Sequence, residues 1–218
     1  MNIKLNAIRI SERLSRSSTA FEAVLWIDGV KVAKVGNYGQ AGPHYYIFFN
    51  DAVRELMKKA DAWCSTLPPK TYPAMWPAKT PLTIPMSLET MIDGIIFEYQ
   101  TQQDLLQFRA KMEKHMRSSI LFGFPDKSYL RLKYTIPLAI LCHHQKGIEI
   151  LKKDIHTKVV PLLKEGQKIL NDNIPAEVID ALGLPGECWA TSPLQTSVLT
   201  QDTVLQGDYP VESIRIDH

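Results

Sequence analysis

The chain has few cysteines, almost no net charge and no long apolar run. Its three cysteines, Cys64, Cys142 and Cys188, are far apart and form no Cys-x-x-Cys pair, which excludes a disulfide framework and favours a reducing compartment. A net charge of +2 gives no overall attraction to nucleic acid or to an anionic membrane. No stretch approaches the roughly 18 apolar residues of a membrane span, and the N-terminus lacks the apolar core of a signal peptide. We therefore expect a cytoplasmic protein with no membrane contact.

Motifs for catalysis or cofactor binding are also missing. Residues 35–46 (VGNYGQAGPHYY) carry three glycines at a spacing of three, but they lack the lysine of a P-loop. They also join two predicted strands, whereas a dinucleotide-binding turn leads from a strand into a helix. The chain has no Gly-x-Ser-x-Gly nucleophile turn. We expect no cofactor and no catalytic residue; the pattern favours binding over catalysis and leaves an enzyme open.

A cysteine and three histidines raise the question of a zinc site, because thiolate and imidazole are common zinc ligands. In an extended segment neighbouring side chains point to opposite faces, so His143 does not join Cys142 and His144 around one ion. His156 follows twelve residues later, and no fourth ligand is spaced to complete the set. We predict no metal site.

What is present is an ordinary globular composition, with 45% apolar and 22% charged residues, which predicts a folded core. Residues 1–66 carry the pattern of a module with four strands and one helix. Apolar and polar residues alternate in the strands, and Asp28-Gly29 between two apolar runs is a strong hairpin signal. The predicted strands are 2–10, 19–27, 30–35 and 44–49, and the predicted helix is 51–65.

Prolines recur through residues 67–86, where they exclude a helix and disfavour a central strand, so we predict a linker or a strap. A helical module with a hairpin is predicted for residues 87–185, and an irregular segment for residues 186–218. The fold class is therefore α+β: an N-terminal antiparallel sheet covered by one helix, the proline-rich strap, then a helical part with a β-hairpin and short C-terminal strands.

Within the second module, Ser87 is predicted to cap a first helix that breaks near residues 101–103, and Asp104 to cap the next helix. Glycine, proline and aspartate predict the turn of a hairpin within residues 119–134. Further predicted elements are helices at 145–160 and 175–182 and short strands at 197–199, 203–205 and 211–216.

The hairpin and loop at residues 28–43, DGVKVAKVGNYGQAGP, resemble the pattern DGKKVG-x-V-x-N-x-G-x-G-G of small uncharacterised proteins of bacteriophages and mobile elements. Ala33 stands where a glycine is usual in that pattern. The resemblance implies a phage-encoded accessory protein that acts on host machinery. The matching residues are Asp28, Gly29, Lys31, Val32, Val35, Asn37, Gly39 and Gly42.

The order of hairpin, glycine loop, aromatic strand and helix also resembles the WGR domain of nucleic-acid-linked proteins, over fewer than about 60 residues. Val35-Gly36-Asn37 stands in place of the family's Trp-Gly-Arg. Both the tryptophan and the arginine are absent, so the family's phosphate contact transfers to no residue of this chain.

These features predict a non-catalytic binding protein, encoded by a phage, that engages and inhibits a host protein complex in the host cytoplasm, as a counter-defence protein does. Its exposed loop supplies adaptable polar and aromatic contacts. The predicted binding residues are Asn37, Tyr38, Gly39, Gln40, His44 and Tyr45. The oligomeric state is left open.

The alternative prediction is a nucleic-acid or nucleotide-binding protein, whose glycine loop contacts phosphate through backbone N–H groups. Basic side chains would then support binding to the backbone, and tyrosines would stack on bases. The other interpretation, which the net charge near zero favours, is that these cations only solvate helix and strand faces while the tyrosines pack in the fold. The basic residues concerned are Arg109, Lys111, Lys114, Arg117, Arg131 and Lys133.

Overall fold

A computed structural model describes residues 1–72 and 80–190, and the backbone of residues 211–217. It confirms the α+β class. The chain divides into two compact units, Met1–Asp104 and Leu105–His218. This division lies within a helix, whereas the sequence pattern had suggested a boundary after residue 86. Among the described helices, none combines the length and the apolar character needed to cross a membrane.

The first unit contains a four-stranded antiparallel sheet in which neighbours in sequence are neighbours in space. Asp28 and Gly29 both have positive φ, 50° and 82°, which is the backbone geometry of the tight turn that joins the second strand to the third. The predicted hairpin is therefore confirmed. The strands are β1 (Ile3–Ile10), β2 (Phe21–Ile27), β3 (Val30–Asn37) and β4 (Tyr45–Phe48).

One face of this sheet forms the core of the first unit, because alternate residues of each strand point to the same side. Helix α1 (Val53–Cys64) lies on that face, as its apolar spacing predicted. The first turns of helix α2 (Leu88–Met116) pack there as well, in addition to the one helix that was predicted. Buried residues from the sheet and both helices include Leu25, Ile27, Val35, Ala60, Leu88 and Ile92.

The proline-rich segment contains two three-residue strands, β5 (Lys70–Tyr72) and β6 (Leu82–Ile84), which pair antiparallel. Both are edge strands of a two-stranded sheet, which agrees with the prediction that proline disfavours a central strand there. Pro73 and Pro77 lie outside the described residues.

Helix α2 is one continuous helix of 29 residues, so the predicted break near residues 101–103 and the cap at Asp104 are wrong. No glycine or proline interrupts the helix there, and the Thr101 hydroxyl donates to the Phe97 carbonyl oxygen one turn back, at 2.9 Å. A polar side chain at this point can therefore form its hydrogen bond within the helix, and a potential capping residue is not sufficient to end the helix. Ser87 does lie at the helix start, where its Oγ accepts a hydrogen bond from the Thr90 N–H.

The second unit is built on the predicted hairpin, β7 (Ser119–Phe124) with β8 (Ser128–Tyr134). Its sheet has the order β10-β8-β7-β9, where β9 is Lys168–Ile169 and β10 is Val211–Asp217. Strand β10 confirms the prediction at 211–216, and the strands predicted at 197–199 and 203–205 lie outside the described residues.

Helices cover one side of this hairpin and bury a second core, which includes Ile120, Phe122 and Leu151. The helix predicted at 145–160 ends as an α-helix at Asp154 and continues as a π turn over Ile155–Val159. The helices are α3 (Leu138–His143), α4 (Gln145–Asp154) and α5 (Ala176–Leu182).

Candidate functional site

The glycine-rich stretch forms the connection from β3 to β4, and its conformation is held by Asn37. The Asn37 side chain is 7% exposed. Its Oδ1 accepts hydrogen bonds from the Gly39 N–H at 2.8 Å and the Ser18 hydroxyl at 3.1 Å, and its Nδ2 donates to the Gly42 carbonyl at 2.8 Å. Asn37 therefore closes the loop from inside and has little capacity left for an external ligand.

Gly39 connects this loop to a second one, residues 11–19. Its carbonyl oxygen accepts from the backbone N–H groups of Arg16, Ser17 and Ser18, at 3.0, 3.0 and 3.4 Å. Gly39 has φ +77°, and a Cβ at this position would lie 2.4 Å from the Leu14 carbonyl oxygen. Glycine is required here because both the backbone conformation and the close approach exclude a side chain. We call the two connected loops, residues 11–19 and 38–44, the loop block.

His44 fixes the other end of the loop block to α2. Its side chain is buried, its Nε2 lies 3.0 Å from Asp93 Oδ1, and its backbone N–H donates to Glu89 Oε1 at 2.9 Å. The imidazole also meets the Phe21 ring edge-on, with the ring centroids 5.2 Å apart. His44 is thus part of the framework of the site.

Tyr38 and Tyr45 form the aromatic part of the site. Their rings stack with centroids 4.7 Å apart and an interplanar angle of 26°. The Tyr45 hydroxyl donates to Glu22 Oε1 at 3.1 Å, and burial, followed by this contact, raises the pKa of Tyr45. A Cβ on Gly36 would come within 2.5 Å of the Tyr45 hydroxyl, so the absence of a side chain at Gly36 lets the Tyr45 ring lie close against the sheet.

Tyr38 is 69% exposed although its ring is held by this stack. Beside it, a cleft of about 250 Å³ lies between the loop block and the ends of β1 and β2. Leu14, which is 58% exposed, lines the same cleft. Gln40 is exposed at the tip of the loop. Tyr38, Gln40, Leu14 and the half-buried Tyr45 are hereafter the loop surface.

Of the six predicted binding residues, Tyr38, Gln40 and Tyr45 therefore reach the surface, whereas Asn37, Gly39 and His44 are buried and hold the loop. Sequence reasoning missed Leu14, which lies 24 positions before Tyr38 in a segment without regular alternation. It also did not anticipate the role of Gly36 beneath the ring of Tyr45. Both contacts depend on tertiary structure, and no local spacing signals them.

The basic residues of the alternative prediction lie in the second half of the chain. Arg109 makes a two-fold ion pair with Asp126, with Nε to Oδ1 at 2.8 Å and Nη2 to Oδ2 at 2.6 Å. This pair raises the pKa of Arg109 and lowers that of Asp126, and it leaves Arg109 with less capacity for a phosphate. Lys111 and Lys114 share helix α2 with Arg109, Arg117 follows the helix, and Arg131 and Lys133 lie on β8.

The glycine loop has few N–H groups to offer a phosphate, because two of them already donate internally. The Gly39 N–H donates to Asn37, and the Ala41 N–H donates to Ser18 Oγ at 3.1 Å. An anion-binding nest needs several adjacent N–H groups that point to one unoccupied position. The loop geometry therefore favours side-chain contacts over phosphate contact by its backbone.

Cys142 and the three histidines are not gathered in one place. Cys142 is buried in α3, and His156 Nε2 lies 2.8 Å from the Leu182 carbonyl oxygen. Across residues 1–72 and 80–190, no three Cys, His, Asp or Glu side chains are grouped as a metal ion would need.

Burial raises the pKa of the Cys142 thiol to about 11, so we expect it to resist alkylation in the folded chain. Iodoacetamide at about pH 8 should modify the half-exposed Cys188 well before Cys142, because only the thiolate reacts and it must be accessible. Peptide mass mapping against time measures both rates. In denaturant the two should react alike, and equal rates in the folded chain would contradict the burial of Cys142.

Comparison of the chain with protein-family models, with curated proteins and with solved structures finds no match in any of the three.

Proposed function

We propose that this chain is a non-catalytic binding protein that engages a protein partner through the loop surface. The observation that carries the proposal is Tyr38, an exposed aromatic ring in a fixed position. Tyrosine is enriched at the energetic centres of protein interfaces, because it buries a large apolar area and still offers a hydroxyl group.

The rigidity of the loop block supports this proposal. Asn37, Gly39 and His44 hold the chain on both sides of the exposed residues with hydrogen bonds to segments distant in sequence. Tyr38 therefore loses little conformational entropy when it is buried by a partner, and pre-organisation of this kind increases affinity. An aromatic residue exposed on a mobile loop would not have this advantage.

The cleft beside Tyr38 adds a place for an apolar side chain of the partner. Leu14 and Tyr38 line it and are both exposed, and Ala20 and Phe21 line it as well. A protein surface that inserts one apolar residue between Leu14 and Tyr38 would bury both. A small aromatic and aliphatic centre with a polar rim is typical of such interfaces.

The biological setting comes from the resemblance of residues 28–43 to phage and mobile-element proteins. On that basis the partner is a protein complex of a bacterial host, the site of action is the host cytoplasm, and the consequence of binding is inhibition, as in counter-defence. The absence of a catalytic motif in the sequence agrees with action by binding.

Tyr38→Ala tests the proposal, with Phe97→Ala as a matched control. The Phe97 ring, on α2, is 68% exposed, so both variants remove an aromatic ring of nearly equal exposure. In affinity capture from a bacterial lysate with quantitative mass spectrometry, Tyr38→Ala should lose a stoichiometric partner that the wild type and Phe97→Ala retain. With the purified partner, Tyr38→Ala should weaken binding about tenfold or more. Equal retention by both variants would reject the loop surface as the interface.

A further inference from the structure

The sheet of the first unit has a second face, opposite to the one that packs on α1 and α2. Alternate residues of β1 to β4 point outward there, and the strand register places them in rows across the sheet. Helix α1 and the first turns of α2 pack on the opposite, core face, and most residues of this second face are exposed or half-buried. We call it the open face; its residues are Lys4, Asn6, Arg9, Glu22, Val24, Trp26, Lys31, Lys34, Gly36, Tyr45 and Ile47.

The open face has an excess of positive charge that the chain as a whole lacks. It carries four cations, Lys4, Arg9, Lys31 and Lys34, and one carboxylate, Glu22, which accepts the hydrogen bond of Tyr45. Lys4, Arg9 and Lys34 form no ion pair with any residue in the described ranges. Because the net charge of the chain is only +2, this concentration of cations is a property of one face.

Aromatic side chains lie between these cations. Trp26 is paired in register with Lys4 on one side and with Lys31 on the other. The ammonium group of Lys31 lies 4.2 Å from the centroid of the Phe49 ring, which holds this cation at the edge of the face. Trp26 is half-buried, and the partly exposed indole lies between two positively charged residues.

A shallow depression of about 290 Å³ brings the two kinds of side chain together. Arg9, Lys34, Tyr45 and Ile47 line it, so cationic groups from β1 and β3 lie on two sides of it. The floor on β2 carries apolar Val24 and the Glu22 carboxylate, which accepts the hydrogen bond of the Tyr45 hydroxyl. Strands are about 4.8 Å apart, so the backbones of β1 and β3 are separated by about 10 Å. This arrangement suits a flat ligand with negative charges on both sides.

We infer that the open face binds single-stranded nucleic acid, with phosphates on Lys4, Arg9 and Lys34 and unpaired bases on Trp26 and the depression beside Tyr45. Cations between aromatic rings are the general chemistry of single-strand recognition, because every base has a face that stacks. Bases within a duplex are not available to such a surface. The inference goes beyond the protein-binding function, since it concerns another class of ligand and, apart from Tyr45, other residues.

Fluorescence anisotropy with a labelled oligothymidylate of about 16 nucleotides, titrated with the full chain, tests the inference. Between about 50 and 200 mM salt, the logarithm of the binding constant should fall with a slope of about 2 against the logarithm of salt, as three phosphate contacts predict. An oligouridylate of the same length separates DNA from RNA. Binding to either supports the proposal, and no binding to both at about 50 mM salt would overturn it.

Lys34→Glu should weaken binding at least about fivefold at about 100 mM salt, because one phosphate contact is lost. Trp26→Leu should weaken it roughly fivefold or more through lost stacking. The matched control is Lys59→Glu, an equal charge change at an exposed position of α1. If Lys59→Glu weakened binding as much as Lys34→Glu, the oligonucleotide would be attracted only by the overall charge of the protein, and the proposed site would be overturned. Equal affinity for a duplex of the same length would also overturn it.

A second copy of the chain is the other occupant that the experiment must exclude. If the open face were a dimer interface, sedimentation velocity of the wild type would show a dimer, and Trp26→Lys would dissociate it. We expect no such dimer, and finding one would overturn the inference. Leu14→Ala should weaken partner capture but leave oligothymidylate binding within about twofold of the wild type, because Leu14 belongs to the loop surface and not to the open face. If a variant loses partner capture but still binds the oligonucleotide, only the loop surface has failed. If it loses oligonucleotide binding but retains partner capture, only the open face has failed.

Discussion

Gly39→Val is expected to lower the free energy of unfolding by about 3 kcal/mol, because two penalties act at one position. Gly39 has φ +77°, which a β-branched residue adopts only at high cost, and its Cβ would lie 2.4 Å from the Leu14 carbonyl oxygen. Relief of this overlap would separate the two loops and break the hydrogen bonds from Arg16 and Ser17 to the Gly39 carbonyl. Differential scanning calorimetry of the full chain should show a transition lowered by more than about 10 °C.

Gly42→Val is the matched control in the same loop. A Cβ on Gly42 meets no heavy atom within 4 Å, and Gly42 has no positive φ that would exclude a side chain. Its transition temperature should stay close to that of the wild type, since an exposed, unstrained substitution changes stability by less than about 0.5 kcal/mol. If both variants melt alike, the close approach at Gly39 does not hold the loop block together.

Because Gly39 supports the loop block, a binding experiment on a Gly39 variant has a different meaning from one on Tyr38→Ala. Loss of binding in a Gly39 variant would report unfolding of the loop block, and loss of binding in Tyr38→Ala would report the removal of a contact. The three glycines at a spacing of three have three different roles. Gly36 makes room for the Tyr45 ring, Gly39 allows the contact between loops, and Gly42 offers its carbonyl oxygen to Asn37.

The parts of the fold that the sequence predicted correctly are those set by local chemistry. Asp28-Gly29 defines a tight turn because these residues tolerate positive φ, and the alternation in the flanking runs fixes which face is buried. The helix stripe from Val53 to Cys64 likewise needs only its own spacing to indicate a buried side. In both cases the signal lies within about a dozen residues.

The exposure of the candidate binding residues was predicted only in part, because the hydrogen-bond partners that hold three of them in buried positions are distant in sequence. His44 forms hydrogen bonds with residues 45 and 49 positions away, Glu89 and Asp93, and Asn37 bonds to Ser18, 19 positions earlier. A histidine and an asparagine in a glycine-rich loop resemble exposed polar contacts when only their neighbours are considered. The open face was overlooked for a related reason, since its cations belong to different strands and form no run.

Helix α2 shows the opposite failure, in which a local signal was given too much weight. Thr101 to Asp104 are polar and contain a good cap residue, which predicted a break. A capping residue contributes only about 1 kcal/mol, whereas continuing the helix keeps every backbone hydrogen bond through this stretch. The apolar positions continue at helical spacing on both sides of this polar stretch, and this continuity was the better indication that the helix does not end there.

Asn171→Ala is expected to destabilise the second unit by about 2–4 kcal/mol, because its side chain continues the hydrogen bonding of a strand. Asn171 is 1% exposed and follows Leu170, whose N–H donates to the Leu121 carbonyl oxygen at 2.8 Å. Its Oδ1 accepts from the Leu121 N–H at 2.7 Å, and its Nδ2 donates to the Ser119 carbonyl at 3.0 Å. The side-chain amide thus replaces a peptide group along the edge of β7.

Removal of this amide leaves two buried backbone groups of β7 without a partner, and each such group costs about 1–3 kcal/mol. Asn171→Leu separates this cost from that of a cavity, since leucine restores most of the volume and none of the hydrogen bonds. Both variants should therefore lower the calorimetric transition by similar amounts, whereas alanine at the exposed neighbour Asp172 should leave it nearly unchanged. A leucine variant as stable as the wild type would show that Asn171 contributes by filling space, and that Leu121 and Ser119 find other partners.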